Sequence, residues 1–443
     1  MKGLSKKQTL GSPFGVFFTV WDHMDVEEVK NLRLNYTVNV LDGAFFGFGM
    51  GFASFATVIP LFIASMTDSA MLIGLISAVH VMGWQIPQLL VANSVARLPR
   101  FKPMVMWMTM HERLPFLGLA VIAWFAPQIG VVPTIILTYL MLIWQGFGAG
   151  FTANPWQNMI GRVIPDDFVA TFFGVQSSAA NLLSSGSAVA AGLILERLVF
   201  PGNYALCFLL TFVMMILSYV ALGFTRESQR QNVVTRENQI PLLQSIKEIL
   251  KKDRNFTWFL VSRMVVQFGV MAFGFYTVYA VTRLGASAVA VGILTSVMMI
   301  TQVVSNLSMG WLADRWSRKG VLELGAAAII LSCLLAWYAP SVEWLYPAVI
   351  LAAVANTAFW TIYMAFSLQF GRADERPTYV GMANSFIAPA TIIAPLLGGW
   401  LADTTSYQVT FLVAAAAGLL ATLIFHFFVR DPQKALSVAA EEG

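Results

Sequence analysis

The feature that most limits what this chain can fold into is a succession of long apolar runs that begins at Leu34. Each run has roughly the 20 residues that a helix needs to cross a hydrocarbon core of about 30 Å. The chain is 58% hydrophobic and 11% charged, with a mean hydropathy of +0.70, so it lacks the polar surface of a soluble globule. We therefore predict an all-α integral membrane protein with about twelve spans, at residues 34–64, 70–95, 102–126, 130–157, 168–195, 203–224, 255–282, 288–311, 320–339, 345–370, 379–402 and 408–429.

The Lys and Arg residues predict how these spans are oriented. If both termini are cytoplasmic, nearly all of the 27 Lys and Arg residues fall in cytoplasmic segments. The exceptions are Arg197 and Arg283 outside, and Arg113 and Arg263 within spans. Because positive charge is retained on the cytoplasmic side, this pattern predicts a multi-pass protein of the cytoplasmic membrane (plasma or inner), with both termini inside. The net charge of +4 is spread over loops, which argues against a nucleic-acid partner.

One long polar stretch divides the spans six and six. We expect residues 225–254 to form a cytoplasmic linker between one six-helix bundle at 34–224 and a second at 255–429. Residues 1–33 mix apolar and charged residues, as a cytoplasmic segment at the membrane interface does, and they lack the pattern of a removed signal peptide. Residues 430–443 are predicted to form a cytoplasmic tail.

Short matches recur in the same order in the two halves. Asn35-Tyr-Thr matches Asn255-Phe-Thr, and Thr225-Arg226-Glu227 matches Val429-Arg430-Asp431. Each match is weak by itself, but their shared order is what duplication of a six-span unit produces. The sequence therefore predicts two pseudo-symmetric bundles.

A charged turn between the eighth and ninth runs is the most specific motif, Gly310-Trp-Leu-Ala-Asp314-Arg315-Trp-Ser-Arg318-Lys319-Gly320. A helix in lipid must stop here, turn through water and re-enter the membrane. The pattern G-x-L-A-D-R-x-x-R-K resembles the signature loop of the major facilitator superfamily. That resemblance implies a secondary transporter, not an enzyme, with twelve helices in two six-helix halves.

The same resemblance implies that this loop is a gate. Its predicted members are Gly310, Asp314, Arg315 and Arg318, together with Arg97 in the matching first-half loop, where Ala96 takes the place of the Asp. By pseudo-symmetry, Asp314 is expected to meet the start of the fifth helix near Phe168, where the helix dipole favours a carboxylate. The simpler alternative is a solvated hairpin in which Asp314 only caps a helix.

Four charged residues within spans share one depth. Asp42, Glu112 and Arg263 each lie nine or ten residues beyond a basic residue at the cytoplasmic end of their span, roughly 13 to 15 Å into the membrane. We predict that Asp42, Glu112, Arg113 and Arg263 carry proton and substrate coupling, because buried charges in a membrane are otherwise unfavourable. The alternative is a set of static salt bridges that hold the third span within the first half.

The resemblance further implies that spans 1, 4, 7 and 10 line a central cavity. Besides Asp42 and Arg263, these spans supply the candidates Gln145, Asn154, Gln267, Tyr276, Tyr279, Asn356, Trp360 and Tyr363. Interhelical hydrogen bonds and packing are the competing explanation for such amides and aromatics. A cavity with amides, aromatics and few charges suits a small organic or amphipathic solute.

Three functions remain in consideration from the sequence. The leading one is a monomeric, proton-coupled secondary transporter that moves a small organic solute by alternating access and requires neither cofactor nor metal. The alternatives are a lipid or amphiphile exporter on the same fold, and a membrane scaffold or sensor that transports nothing. Buried charges argue against a scaffold, which has no need of them.

Overall fold

A computed structural model describes residues 26–55, 57–67, 69–229 and 241–431. Within these ranges the chain forms helices and no strand. Its long helices are α1 (Val26–Phe52), α2 (Ala70–Leu90), α3 (Lys102–Ile129), α4 (Val131–Val163), α5 (Val169–Arg197), α6 (Gly202–Gly223), α7 (Arg254–Leu284), α8 (Ala288–Arg315), α9 (Arg318–Tyr338), α10 (Val342–Ser367), α11 (Arg376–Thr404) and α12 (Tyr407–Phe428).

These helices confirm the predicted fold class. Among the described residues, nine helices, α4 to α12, are long and apolar enough to cross a membrane by length and composition. Three more long helices, α1 to α3, complete the set of twelve transmembrane helices. The protein is therefore an all-α integral membrane protein of two pseudo-symmetric six-helix bundles.

The first predicted span, 34–64, is not one helix. α1 begins at Val26, ends at Phe52 and is followed by a separate short helix, Val58–Ala64. Pro60 lies in the first turn of the short helix, where its missing N–H leaves no helical bond unmade, whereas within a continuous helix its ring would clash with a preceding carbonyl. The expected start of the first bundle at residue 34 thus falls inside α1, and residues 1–25 lie outside the described part.

The packing of the helices repeats from one half to the other. In the first half α1 packs on α5 and α6, α3 on α4 and α6, and α2 on α4. In the second half α7 packs on α11 and α12, α9 on α10 and α12, and α8 on α10. The halves meet through α5 with α8 and through α2 with α11, which are themselves equivalent pairs.

The matching sequence motifs make matching contacts. The Asn35 side chain donates to the carbonyl of Arg226 (2.9 Å) and accepts from its backbone N–H (2.7 Å). Asn255 makes the same two bonds with Arg430, at 3.0 and 2.6 Å. In each half, these bonds tie the first helix to the segment that follows the last one.

A short amphipathic helix, Leu242–Lys252, precedes α7. Its Ile249 is buried and its Ile246 and Leu250 pack against the core of the second half, whereas Lys251 and Lys252 are exposed. This helix lies within the predicted linker at 225–254. Linker residues 230–240 and the predicted tail from 432 lie outside the described residues.

Two helices near the centre of the protein are interrupted. α7 contains a 3₁₀ segment, Met271–Phe275, and α10 contains a π-helical turn, Ala358–Ile362. Such interruptions are common at functional sites, because they re-aim side chains within a helix. The π-helical turn of α10 carries Trp360, one of the predicted cavity residues.

Candidate functional site

A cavity of about 230 Å³ lies among the helices of the first half. Its lining comes from α1, α2, α3, α4, α5 and α6, and α10 of the second half contributes Trp360 and Met364. The polar or charged lining residues are Asp42, Thr109, Glu112, Arg113, Thr152, Gln157, Gln176 and Ser177. A buried, mostly apolar cavity with a few convergent polar groups is the usual form of a site for a small molecule.

Arg113 is the centre of a charged cluster in this cavity. Its Nη2 lies 3.1 Å from Asp42 Oδ1 and donates to Ser218 Oγ at 2.7 Å. Ser218 in turn donates to Asp42 Oδ1 at 2.5 Å. Arg113 Nε donates to the carbonyl of Met215 at 3.0 Å. Because these contacts come from α1, α3 and α6, the cluster ties three helices together.

Glu112 is held more loosely than Asp42. Its Oε2 accepts from Thr109 Oγ1 at 3.3 Å and lies 3.5 Å from Arg113 Nη1. Adjacent positions on a helix point about 100° apart, but the long arginine side chain reaches back across this gap. With both carboxylates ionised, the three side chains carry one negative charge in excess.

Close helix packing places Glu112 beside the cavity. A Cβ on Gly148 of α4 would collide with the backbone of His111 and Glu112 on α3. Only glycine allows the two helices to approach this closely. The position of Glu112 therefore depends on a residue that carries no chemistry of its own.

A pair of tryptophans from opposite halves closes one wall of the cavity. The rings of Trp84 on α2 and Trp360 on α10 are stacked, with their centroids 5.2 Å apart. Gln176 lies nearby and donates to the carbonyl of Asn39 at 2.7 Å. A relative movement of the halves would separate the two rings and open this wall.

Arg263 is not brought to this cluster. Its Nη1 donates to the carbonyl of Ala383 at 2.8 Å and to Asn384 Oδ1 at 3.3 Å, and its guanidinium lies 5.0 Å from the ring centroid of Tyr363. It is buried, and among the described residues no carboxylate forms a salt bridge with it. Asp42, Glu112 and Arg113 thus form the predicted charged layer in this conformation, and Arg263 stands apart from it.

An amide network joins Arg263 to the cavity wall. Asn384 Nδ2 donates to Gln88 Oε1 at 2.7 Å and to Gln157 Oε1 at 3.0 Å. Gln157, which lines the cavity, donates to Ser367 Oγ at 2.9 Å. Asn154 donates to the carbonyls of Gln88 and Pro377, at 3.0 and 2.9 Å. Apart from the bond between Asn154 and Gln88, which lies within the first half, these bonds cross between the halves.

The remaining predicted cavity residues are dispersed. Tyr276 bonds to Ser332, Tyr279 donates to the carbonyl of Ala339, and both are buried in the second-half core. Gln145 is buried and Asn356 exposed, and neither lines the cavity, whereas Gln267 lines a separate cavity of about 280 Å³ with Thr391 and Pro395. Sequence reasoning missed Trp84, Gln157 and Gln176. A polar amide side chain is unfavourable in lipid. This argument identified Gln145 as a candidate, and it applies equally to Gln157 and Gln176.

The charged loop forms the contact that was predicted for it. Asp314 accepts from the backbone N–H groups of Ala170 (3.2 Å) and Thr171 (2.6 Å) at the start of α5. Arg318 is buried, lies 3.1 Å from Asp314 Oδ1 and donates to the carbonyl of Asp166. Asp314 therefore binds the first turn of a helix in the opposite half, where the dipole favours negative charge.

Two glycines allow this approach of the halves. A Cβ on Gly174 of α5 would collide with the carbonyl of Asn306, and one on Gly310 of α8 would lie 2.7 Å from the carbonyl of Ala170. The other predicted gate residues point outward: Arg97 is exposed, and Arg315 is exposed and stacks over Trp311 at 5.0 Å. Gly310, Asp314 and Arg318 thus form the contact between halves, and Arg97 and Arg315 do not.

No metal site accompanies these residues in the part of the chain that the structure describes, where no three His, Cys, Asp or Glu side chains are grouped for a metal ion. Cys207 and Cys333 are buried, free thiols. The cavity is lined by carboxylates, a guanidinium, amides and indoles. This set can bind a small solute and can take up or release a proton.

Comparison with known proteins places the chain in a family. A sequence model of the major facilitator superfamily matches residues 103–283 and again residues 259–443. Multidrug resistance protein 1 of Bacillus subtilis is 27% identical over 184 residues, which are 42% of this chain and 47% of that protein. The chain thus spans less than half the length of that relative.

Solved structures share the fold along nearly their whole length. An outward-facing bacterial homologue of the iron transporter ferroportin has a TM-score of 0.74 at 15% identity, and the Escherichia coli fucose:proton symporter has 0.73 at 13%. Each comparison covers 89% of this chain and 98% of the other. With the family model matching more than half of the sequence, the chain belongs to the major facilitator superfamily.

Proposed function

We propose that the protein is a secondary transporter that moves a small organic solute across the cytoplasmic membrane by alternating access, in exchange with or together with protons. The observation that carries this proposal is a cavity with a buried Asp42–Arg113–Glu112 cluster, one wall of which is formed by the opposite half. A movement between the halves would open and close such a cavity. A scaffold would need neither the cavity nor the buried charges.

The contacts between halves support a state closed on one side. Asp314 and Arg318 bind the start of α5, and Asn154, Gln157 and Gln88 bond to α10 and α11. We call the side that carries the loops at 97–101 and 315–317 the loop side, and we assign it to the cytoplasm from the Lys and Arg pattern. The described conformation is then closed toward the cytoplasm.

The excess negative charge supports proton coupling. One proton on either Asp42 or Glu112 would make the cluster neutral, and a cationic group of a solute would do the same. Asp42 already has Arg113 and Ser218 as close partners, whereas Glu112 lies farther from the guanidinium. Both carboxylates belong to the predicted coupling set, and Glu112 faces the cavity with less compensation, so we infer that Glu112 as well as Asp42 can take up the proton.

The size of the cavity favours a small solute over a lipid. Its volume of about 230 Å³ is just below the range of roughly 300–1,000 Å³ that drug-sized ligands occupy. Three indole rings, those of Trp84, Trp156 and Trp360, and an apolar lining suit a solute with an aromatic or aliphatic part. The multidrug relative from Bacillus subtilis fits this class.

A thermal-shift screen of the purified protein tests the proposal. Small organic cations, anions and zwitterions are added separately, and compounds that bind the folded state should raise its melting temperature. Ser177→Phe fills the cavity and should abolish these shifts, whereas Leu182→Phe, at an exposed position of the same helix, should preserve them. Compounds that stabilise the wild type and Ser177→Phe alike would contradict a binding site in this cavity.

A further inference from the structure

A second cavity, separate from the one described above, lies on the loop side of the first half. It has a volume of about 920 Å³ and is formed by the start of α1, the start of α3, the end of α4 and the segment after α6. Its basic residues are Arg100, Lys102, Arg162 and Arg226, and we call this cavity the basic pocket. None of its lining residues takes part in the central cavity or in the contact of Asp314 with α5.

The charges of the basic pocket do not balance. Its two carboxylates belong to Glu28 and Glu227. Both oxygens of Glu227 are already bonded to backbone, because they accept from the N–H groups of Phe101 (2.9 Å) and Lys102 (2.7 Å). Glu28 is exposed at the rim. The pocket therefore contains four basic side chains and two carboxylates. One of these carboxylates, that of Glu227, is already bonded to N–H groups at the start of α3.

Arg100 faces the basic pocket, and its loop has no acidic residue at the position that corresponds to Asp314. In the alignment of the two loops, Arg100 corresponds to Arg318 and Ala96 to Asp314. Arg318 turns inward and is buried against Asp314. Arg100 has no aspartate at the corresponding place and is exposed. Arg318 thus belongs to the predicted gate, whereas the corresponding residue of the first half, Arg100, lines the basic pocket.

Arg162 lies in the last turn of α4, and among the described residues one of its N–H donors has no acceptor. Its Nε is buried, and within the described residues it makes no hydrogen bond. A buried donor without a partner is unfavourable, so it marks a place where a ligand atom would be bound. Arg226 differs, because its Nη1 donates to Asn31 Oδ1 at 2.9 Å, which fixes the side chain at the pocket edge.

We propose that the basic pocket binds an anionic phosphate group. Guanidinium groups pair with phosphate through two parallel hydrogen bonds, and two arginines of this pocket have donors for it. The pocket lies at the loop-side ends of α3 and α4, and Leu32, Met106 and Val163 add an apolar part to its lining. An anionic phospholipid supplies both a phosphodiester group for the arginines and an apolar part for these side chains. A free phosphate compound supplies only the phosphate.

A ligand bound in the basic pocket would hold helices of the first half together without contacting Gly310, Asp314 or Arg318. The ligand would contact residues of α1, α3, α4 and the segment after α6 at once. It would therefore stabilise the first bundle in either state of the transporter.

The test uses the full-length purified protein in detergent with defined additions. Melting temperature is measured against increasing phosphatidylglycerol or phosphatidylcholine in mixed micelles, and separately against inorganic phosphate and pyrophosphate. We expect phosphatidylglycerol to stabilise the protein and phosphatidylcholine to have little effect. Arg100→Gln and Arg162→Gln should each weaken the apparent affinity about fivefold, the loss expected for one basic residue near a charged membrane surface.

Arg97→Gln is the matched control, since Arg97 is an exposed arginine of the same loop that does not line the basic pocket. A response to phosphate or pyrophosphate that Arg100→Gln weakens would also support the site and would identify a soluble ligand. No response to any phosphate compound would overturn the proposal, as would equal losses in Arg97→Gln and Arg100→Gln. Arg100 is exposed, so its variant keeps the test valid even if Arg162→Gln fails to fold.

Discussion

At the scale of single residues, the arginine of α3 determines how the first half holds its charges. Arg113 bonds to Asp42, Ser218 and the carbonyl of Met215, so one guanidinium compensates a buried carboxylate and links three helices. The sequence showed Asp42 and Arg113 at one depth, and the structure pairs them. It could not show Ser218, because a serine within a span is common and only its partner distinguishes it.

Removing the guanidinium should destabilise the protein strongly. Arg113→Gln leaves Asp42 buried without its cation, and loss of one partner of a buried pair typically costs about 3–5 kcal/mol of unfolding free energy. Thermal unfolding in detergent measures the change. Asp42→Asn combined with Arg113→Gln should recover part of the loss, since Asp42 is then no longer a buried charge without its cation. A double variant no more stable than Arg113→Gln would show that packing, rather than charge pairing, accounts for the loss.

Arg263 should act through the amide network. It bonds to Asn384, which bonds in turn to Gln88 and to the cavity residue Gln157. Arg263→Ala is expected to abolish both binding and exchange of any solute found by thermal shift, whereas Asp42→Asn should lose proton-driven accumulation and retain exchange. Wild-type exchange in Arg263→Ala would remove Arg263 from the transport site.

At the scale of helices, the crossing of α5 and α8 brings the two halves into close contact. Gly174 and Gly310 let the backbones approach, and Asp314 binds the first turn of α5. The contact of Asp314 with the start of α5 was expected from the resemblance of the loop motif to the signature loop of the superfamily. Of the two glycines at this crossing, Gly310 belongs to the predicted motif. Gly174 was not predicted, because it lies in a helix rich in small residues and nothing in the sequence distinguishes it from them.

Loss of the Asp314 carboxylate should open this contact. A carboxylate at a helix N-terminus is worth about 0.3–2 kcal/mol, so Asp314→Asn should shift the population several-fold toward the state open on the loop side. Labelling of a cysteine at Ser177 by a thiol reagent added from the loop side should then be faster. Arg315→Gln is the control, because Arg315 is exposed and stacks on Trp311 outside the contact. Equal labelling of wild type and Asp314→Asn would contradict the gate assignment.

The repeated asparagines should contribute unequally. Asn35 is buried with 4% of its surface exposed, whereas the bonds of Asn255 are exposed to solvent. Asn35→Ala leaves backbone groups of Arg226 unpaired and should cost about 1–3 kcal/mol, while Asn255→Ala should cost less because water can replace it. Comparison of their melting temperatures checks this order, and an equal loss would mean that burial does not decide the effect.

At the scale of the whole molecule, the fold could be predicted and the cavity could not. Twelve apolar runs and the repeated Asn35 and Asn255 motifs are local signals, so the halves were visible in the sequence. The cavity depends on contacts distant in the chain, such as Trp84 with Trp360 and Gln157 with Asn384. Tyr276 and Tyr279 were assigned to the cavity from their helix alone, and their rotation within α7 instead directs them into the second-half core.

The orientation of the molecule also has a direct test. We expect the loop side and both termini to be cytoplasmic, because nearly all Lys and Arg residues lie there. Ser228 is exposed just after α6, and both native cysteines are buried, so Ser228→Cys can be labelled selectively. An impermeant thiol reagent should react with it in inverted vesicles and not in intact cells. Reaction in intact cells would reverse the assignment.

Proton movement driven by a solute gradient tests the central claim most directly. Wild-type protein and Glu112→Gln are reconstituted in liposomes that contain a pH-sensitive dye, and a solute found by thermal shift is added outside. We predict that the wild type moves protons when it moves the solute, and that Glu112→Gln exchanges the solute without a pH change. Solute movement by the wild type without a pH change, or a wild-type pH change in Glu112→Gln, would contradict coupling through this cluster.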